Sequence, residues 1–404
     1  MREGWELKTL SEVYDVRDGT HDSPKYIDEG YPLITSKNLK DGVVNFDKVK
    51  FISEEDYSNI NKRSKVNVGD VLFAMIGTIG NPTVVFEEPN YAIKNIALFK
   101  VKSNNNSNFL KYYLESPYVV DKMLLDAKGS TQKFVGLGYL RKFPICIPPL
   151  EEQQQIVAIL DQAYTAIDQA KANIEKNIEN AKEFYQNWTF NTIIKADWEA
   201  INWGNICDFT RGPFGGSLKK SMFVESGYAV YEQKQAIHND YDALRYFINE
   251  DKFQEMKRFE VKSGDLLMSC SGVTLGRVSE VPPNAPSGII NQALLKLTTK
   301  PNYIINDFLV IWIRSKIFQD LIFKAAGGAA QPNVPSVKIL KNIKVPCPTL
   351  EEQQVFVKLH GKVYDFTQNL INGNVRKLES LDELKKSILQ KAFAGELTNK
   401  AVEV

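Results

Sequence analysis

His21 beside Asp22, and Cys270 between Ser269 and Ser271, are the residues whose types invite a catalytic reading. A histidine next to an aspartate can pass a proton, but this pair lies in a run of turn formers and reads as a polar turn. Cys270 reads as a small buried side chain. The 4 cysteines (Cys146, Cys207, Cys270, Cys347) and 3 histidines (His21, His238, His360) form no C-x-x-C or H-x-x-x-H pair. Neither a metal site nor a disulfide framework is therefore expected. The sequence holds no Walker A motif, no G-x-S-x-G elbow and no H-E-x-x-H. It also lacks the Asn/Asp-Pro-Pro-aromatic tetrapeptide of amino-methyltransferases, since Pro282-Pro283-Asn284 and Pro148-Pro149-Leu150 have the wrong neighbours. The Gly-Gly pairs at 215–216 and 327–328 stand outside any strand–GxGxxG–helix context, which argues against a dinucleotide fold. None of these residues stands in a recognised catalytic or metal-binding pattern.

The polar, glycine-rich loops that remain need a scaffold, and the sequence supplies one twice. Pro148-Pro149-Leu150-Glu151-Glu152-Gln153 recurs as Pro348-Thr349-Leu350-Glu351-Glu352-Gln353, half of the 404-residue chain further on. A repeat of that length means two similar units in one polypeptide. Each copy opens a helix. Thr349 and Glu352 form a capping box, Pro149 suits the first helical position, and the paired glutamates face the positive end of the helix dipole. Downstream, Ala163, Ile167, Ala170, Ile174, Asn177, Ala181, Phe184 and Trp188 follow heptad spacing. Val363, Phe366, Leu370, Leu378, Leu381, Leu384 and Ile388 give a second stripe, interrupted at Gly373. A single stripe of this kind is usually ordinary core. Two matched stripes predict two helices of about 40 residues, each about 60 Å long, that pair with one another.

The segments between the helices repeat as well. Trp203 answers Trp5. Arg211-Gly212-Pro213-Phe214 stands where Asp18-Gly19-Thr20 stood, and Gly264-Asp265-Leu266 answers Gly69-Asp70-Val71. Ser271–Gly276 answers the Gly77–Gly80 turn, Asn291–Lys296 answers Asn95–Lys100, and 327–331 answers 129–132. Tyr31–Thr35, Val71–Ala74 and Asn95–Val101 read as strands and Phe109–Leu125 as helix. Framework matches and loops differ, the pattern of one scaffold carrying two recognition surfaces. Loop drift with no recognition role would give the same pattern.

Composition sets the outer bounds. With 43% hydrophobic and 25% charged residues the chain reads as soluble and globular. The N-terminus lacks an apolar signal region and the most apolar run, Phe308–Ile313, is too short to span a bilayer, so a cytoplasmic protein without membrane contact is expected. The net charge of +1 hides a division: residues 151–188 carry −4, residues 351–396 carry 0, and the remainder +5. The helices are poor surfaces for a polyanion and the globular parts are mildly basic.

These residues together resemble the DNA-specificity subunit of type I restriction–modification systems. The resemblance rests on the repeated Pro-x-Leu-Glu-Glu-Gln segments, the C-terminal Leu389-Gln390-Lys391-Ala392-Phe393-Ala394-Gly395-Glu396-Leu397, the Gly-Asp-hydrophobic pair and Arg211-Gly212-Pro213-Phe214-Gly215. It spans essentially the whole chain. It implies an α+β fold in which two similar globular target-recognition domains are separated by two long antiparallel helices, an internal pseudo-two-fold repeat. The expected boundaries are 1–147 and 192–347 for the domains, 148–191 and 348–396 for the helices, and 397–404 for a tail. It further implies a non-catalytic chain that binds double-stranded DNA as a bipartite target and docks two methyltransferase subunits. Restriction or translocase subunits are a further expected partner. No cofactor is expected on this chain, S-adenosylmethionine belonging to the methyltransferase subunit. Amides read adenine edges and arginine reads guanine, so Asn38, Gln132, Gln233, Arg277 and Gln331 are candidate base readers. Lys128, Lys133, Arg211, Lys219 and Lys220 are candidates for phosphate. Two other readings fit parts of the sequence: a coiled-coil scaffold with no DNA role, and the recognition part of a self-contained DNA methyltransferase or nuclease. The absent methyltransferase motifs weigh against the second.

Overall fold

The computed structural model describes residues 2–129, 133–214, 216–326 and 332–398. It divides into two units, one of residues 1–175 with 375–404, the other of residues 176–374. Each long helix, Leu150–Lys195 and Leu350–Phe393, contributes one half to each unit.

The same α+β scaffold is built in both units. In the first, a four-stranded antiparallel sheet has the order Asp15–Asp18, Ile96–Lys100, Val71–Ala74, Gly80–Val84. In the second the order is Cys207–Arg211, Leu294–Thr299, Leu266–Ser269, Val278–Glu280. A smaller sheet adjoins each, with a parallel pair at its heart: Tyr31–Ile34 on Ala92–Ile93, and Tyr228–Tyr231 on Gly288–Ile290. A two-stranded ribbon closes each domain, Glu6–Thr9 on Pro144–Ile147 and Ala200–Asn202 on Lys344–Pro346, so the chain leaves beside where it entered.

Ladder register corrects one sequence match. Ala97 pairs with Asp18 and Phe99 with Val71; Leu295 pairs with Arg211 and Leu297 with Leu266. The counterpart of Lys100 is therefore Thr298 and not Lys296, a slip of two residues. Strand side chains alternate with period two, so such a slip keeps every residue on its face and the hydrophobic pattern cannot reveal it. The chemistry keeps both: Lys100 Nζ reaches Asp70, Lys296 Nζ lies 3.6 Å from Asp265 Oδ2, and Thr298 Oγ1 donates to Asp265 Oδ1 at 2.5 Å. Both aspartates are buried and each also accepts a loop N–H, from Asn67 at 2.7 Å and from Lys262 at 2.8 Å. This is the structural job of the Gly-Asp pair.

The core of the first unit gathers Trp5, Tyr14, Phe73, Phe99 and Phe109. That of the second is centred on Trp203, whose ring meets Trp312 and Phe318 edge-on at 5.6 and 5.4 Å. The expected single helix over 109–125 is two, Ser107–Glu115 and Pro117–Asp126. Pro117 cannot continue the first ladder but suits the start of the second. Burial pushes the Cys207 and Cys270 thiols up to about 12, which keeps them protonated and inert.

The repeated glutamine is the hinge-pin of each unit. Gln353 is fully buried; its Oε1 accepts the Ile305 N–H at 2.8 Å and its Nε2 donates to Tyr303 O and Pro348 O, both at 2.8 Å. Gln153 repeats this with Asn106 N–H at 2.9 Å and Pro148 O at 2.9 Å. An amide offers one acceptor and two donors on a short plane, so glutamine alone ties a long helix to the loop before the domain's own helix. Neighbouring glutamates diverge. Glu352 closes the capping box, accepting Thr349 N–H at 2.9 Å. Pro149 has no N–H to offer and precedes the helix, which starts at Leu150. Glu152 instead accepts from Arg2 and Thr398 at 3.1 and 2.5 Å. Replacing Gln353 by alanine leaves one N–H and two carbonyls unsatisfied in the interior and should cost about 2–3 kcal/mol. A melting curve of the purified variant should show a transition lower by roughly 4–10 °C; an unchanged transition would mean water replaces the amide.

Helix pairing is antiparallel within each unit. In the first, Ile156, Val157 and Leu160 share a core with Leu389 and Ala392, and further along Lys171 pairs with Asp382 and Lys385 with Asp168. In the second, Trp188 stacks on Phe356 at 6.1 Å, and Tyr185 meets Tyr364 at 5.6 Å. The heptad reading is displaced here. Phe184, Phe366, Leu370 and Leu384 are exposed, while Tyr185 takes the inward place and Thr367 is buried. An undistorted helix drifts by about 20° per heptad, so a strict seven-residue stripe leaves the contact line. Gly373 lies inside an unbroken helix.

Candidate nucleic-acid interface

In both units the loops that differ most gather beside the last strand of the four-stranded sheet. The anchor is a glycine. Gly19 N–H donates to Ile96 O at 2.9 Å, and Gly212 N–H to Leu294 O at 3.0 Å. A Cβ on Gly19 would lie 2.2 Å from Ile93 O, and one on Gly212 only 1.8 Å from Asn291 O. No other residue permits this approach of two backbones.

The residue before each glycine differs between the units in type and in what it binds. In the first, the buried Asp18 carboxylate is bound by Arg63 and by His21 Nε2 at 2.8 Å, while His21 Nδ1 meets Asn95 Oδ1 at 2.8 Å. These hydrogen bonds, to Asn95 and then Asp18, raise the His21 pKa. In the second, Arg211 occupies the position of Asp18 and its Nη1 donates to Val334 O at 3.3 Å. Phe214 follows, 82% exposed.

A second loop joins the first. Gly77 N–H donates to Lys133 O at 3.0 Å and Val135 N–H to Met75 O at 3.0 Å. Gly272 N–H to Pro332 O at 2.9 Å and Val334 N–H to Cys270 O at 2.7 Å repeat this. Gln233 is its brace: Nε2 donates to Ser269 Oγ at 2.9 Å and to Ser271 O and Oγ at 3.1 Å. Val273 stands out from the turn, 90% exposed.

Against the sequence candidates the result is mixed. Lys128, Lys133, Lys219 and Lys220 are exposed on these loops. Gln132 and Gln331 lie outside the described residues. Asn38 is corrected: it is buried, Oδ1 accepts Thr35 N–H at 3.0 Å, and Nδ2 donates to Asn45 O at 2.9 Å, so its amide is spent on a turn. Gln233 and Arg211 are also committed inward and position loops. Arg277 lies apart, in a groove with Arg314 and Tyr185. Sequence reasoning passed over Phe214 and Val273, whose signal was an apolar residue inside a glycine-rich, otherwise polar loop. Among the described residues no group of histidine, cysteine, aspartate or glutamate could hold a metal ion, and no helix is long and apolar enough to cross a membrane.

A framework kept twice, with different residues in its end loops, defines a repeat-built chain. The chain belongs to the family described as the type I restriction modification DNA specificity domain, whose sequence pattern matches residues 2–180 and again 195–380. It is 25% identical to the type I restriction enzyme EcoBI specificity subunit of Escherichia coli, over 93% of this chain and 85% of that one. It is 23% identical to the MjaVIII specificity subunit of Methanocaldococcus jannaschii, over 91% and 86%. Two solved structures share its fold at 18% identity. One comes from work on complex assembly and conformational transition of the type I R-M system, with TM-score 0.72 over 98% of this chain and 99% of that one. The other is the HsdS subunit from Thermoanaerobacter tengcongensis, with TM-score 0.63 over 98% of each.

Proposed function

We propose that this chain reads a two-part double-stranded DNA target, each half by one domain (1–147 and 192–347), and supplies no catalytic group to the modification that follows. The observation that carries this reading is one scaffold built twice with different end loops: Lys128 and Lys133 beside the buried Asp18 and its partner Arg63 in the first, Lys219, Lys220 and the exposed Phe214 after an inward Arg211 in the second. Two identical readers would need no such difference. Lys128 and Lys133 in the first cluster, and Lys219 and Lys220 in the second, meet phosphates; Phe214 and Val273 offer apolar contact to base edges such as the thymine methyl. The long helices (148–191 and 348–396) dock two methyltransferase subunits, which hold S-adenosylmethionine, and restriction or translocase subunits join in the complete enzyme in the cytoplasm. Val355, Leu359, Phe366 and Leu370 support docking, being exposed and spaced to share one face of a helix.

The test is DNA affinity of the chain with its methyltransferase subunit across a salt series. Lys219→Ala and Lys220→Ala should each lower the slope of log K against log salt by about 0.9. Slopes equal to wild type in both variants would show that these lysines do not meet phosphate.

A further inference from the structure

The repeat places a second pair of equivalent sites away from the loops, and their charges are reversed. The helices Ser107–Glu115 and Asn306–Arg314 end alike: the next residue, Ser116 or Ser315, donates its Oγ to the carbonyl three back, Tyr113 O at 2.7 Å and Trp312 O at 2.6 Å. Glu115 and Arg314 therefore hold one position in the scaffold. The 200-residue offset of the helices likewise carries Tyr164 onto Tyr364, and Tyr185 onto Lys385. Each set borders an open groove within its own unit.

In the first unit this groove measures about 840 Å³, and Asp41, Glu115, Asp161 and Asp168 outnumber Lys111 and Lys385. In the second it measures about 640 Å³, and Arg277, Arg314 and Lys316 outnumber Asp320. Lys316 is held by Asp320 at 2.9 Å, which leaves the two arginines. Arg314 Nη2 donates to Val278 O at 2.8 Å. Desolvation, and then the Arg277 charge, depress the Arg314 pKa, opposed by Tyr185 and Tyr364. His360 adds no charge at neutral pH, since burial takes its pKa down to about 4, and its Nε2 meets Tyr185 OH at 2.9 Å.

We propose that the Arg277–Arg314 groove of the second unit is a docking pocket for a carboxylate of a protein partner. This rests on the reading above that partner subunits seat on the long helices. Two guanidiniums, Arg314 keeping further donors beside its bond to Val278 O, match a carboxylate in charge and in donors. The walls favour protein over a DNA phosphate. Tyr185 and Tyr364 come from the long helices, and Val310, Ile311 and Phe323 are apolar. The first unit's groove, with its carboxylate excess, would refuse the same acidic group, so the two equivalent positions are not interchangeable to a partner.

The experiment uses the full chain and the methyltransferase subunit of its own system, with affinity followed by sedimentation at two salt concentrations, and DNA affinity measured beside it. Arg277→Glu, and the pair Arg277→Glu with Arg314→Glu, should weaken the protein complex at least about tenfold, since reversed charge meets a carboxylate. Arg314→Lys should retain only part of it, since lysine keeps the charge and loses the planar fork, and Arg314→Glu alone should leave DNA affinity within about twofold. Arg277 is exposed, so its single variant guards against loss of folding. Wild-type affinity for the methyltransferase subunit in the double variant would overturn the proposal. So would a fall in DNA affinity with the protein complex intact, which would mark the groove as a phosphate site. If the wild-type chain forms no complex with the methyltransferase subunit, the docking reading itself fails and takes this one with it; a complex indifferent to the variants sinks the groove alone.

Discussion

Gly212→Ala should disable the second unit while leaving the first intact. The new Cβ would sit 1.8 Å from Asn291 O, 2.6 Å from Asn291 C and 3.0 Å from Gln292 Cα, all of them backbone atoms. A side chain in the way could rotate; the backbone of a short turn held between two strands, 288–290 and 294–299, cannot. The loop must lift, which breaks the Gly212 N–H bond to Leu294 O and moves Arg211 away from Val334 O. Overpacking of this kind costs about 3 kcal/mol or more. Hydrogen exchange should show lost protection across 207–211 and 294–299, with 96–100 unaffected. Binding to a DNA carrying the full target should fall toward the level of a target with the second half-site scrambled. Gly216→Ala is the control, because no atom lies within 4 Å of its Cβ position; its stability should stay within about 0.5 kcal/mol of wild type. Equal protection in the Gly212 variant would show that the loop yields without loss.

Exchanging residues 1–147 for the matching segment of another specificity subunit should change one half of the recognised sequence by a factor of about 10³ or more, and leave the other half untouched. Each loop cluster stands on its own copy of the scaffold, with separate cores. The exchanged segment must keep what it presents to the helices. The N–H of Asn106 binds Gln153, Phe109 and Tyr113 each meet Phe393 at 5.3 Å, and Arg2 binds Gly395 O at 2.6 Å. A segment lacking these should lower stability with no effect on which sequence is read. Methylation of a target library by the reconstituted enzyme separates the outcomes. A change in both halves at once would show that the two domains do not read independently.

Much of this was legible in the chain itself. The Leu-Glu-Glu-Gln repeat announced two units because the glutamine, the acidic first turn and the apolar stripe behind them are short-range features. The strands around Gly69-Asp70 and Gly264-Asp265 were legible for the same reason, since a turn glycine followed by a buried apolar run is local. The absence of recognised catalytic motifs was equally a matter of residue type.

What tertiary structure decided was every question of partner and register. Asn38 has the chemistry of a base reader, yet its amide is consumed by Thr35 and Asn45. Nothing in the sequence tells a polar side chain which backbone groups will claim it. Lys296 aligned with Lys100 until the ladder gave that place to Thr298, because period two is blind to a two-residue slip. Phe184 and Phe366 kept heptad spacing but lie outside, the true contact line of a helix following 3.6 residues per turn. The charge reversals at Asp18 and Arg211, and at Glu115 and Arg314, involve residues plainly visible in the sequence. The match of Arg211 to Asp18 was legible beside the shared glycine and the sheet register agrees with it; that of Glu115 and Arg314 appears only when the helix ends superimpose the two halves, since the loops between them differ in length.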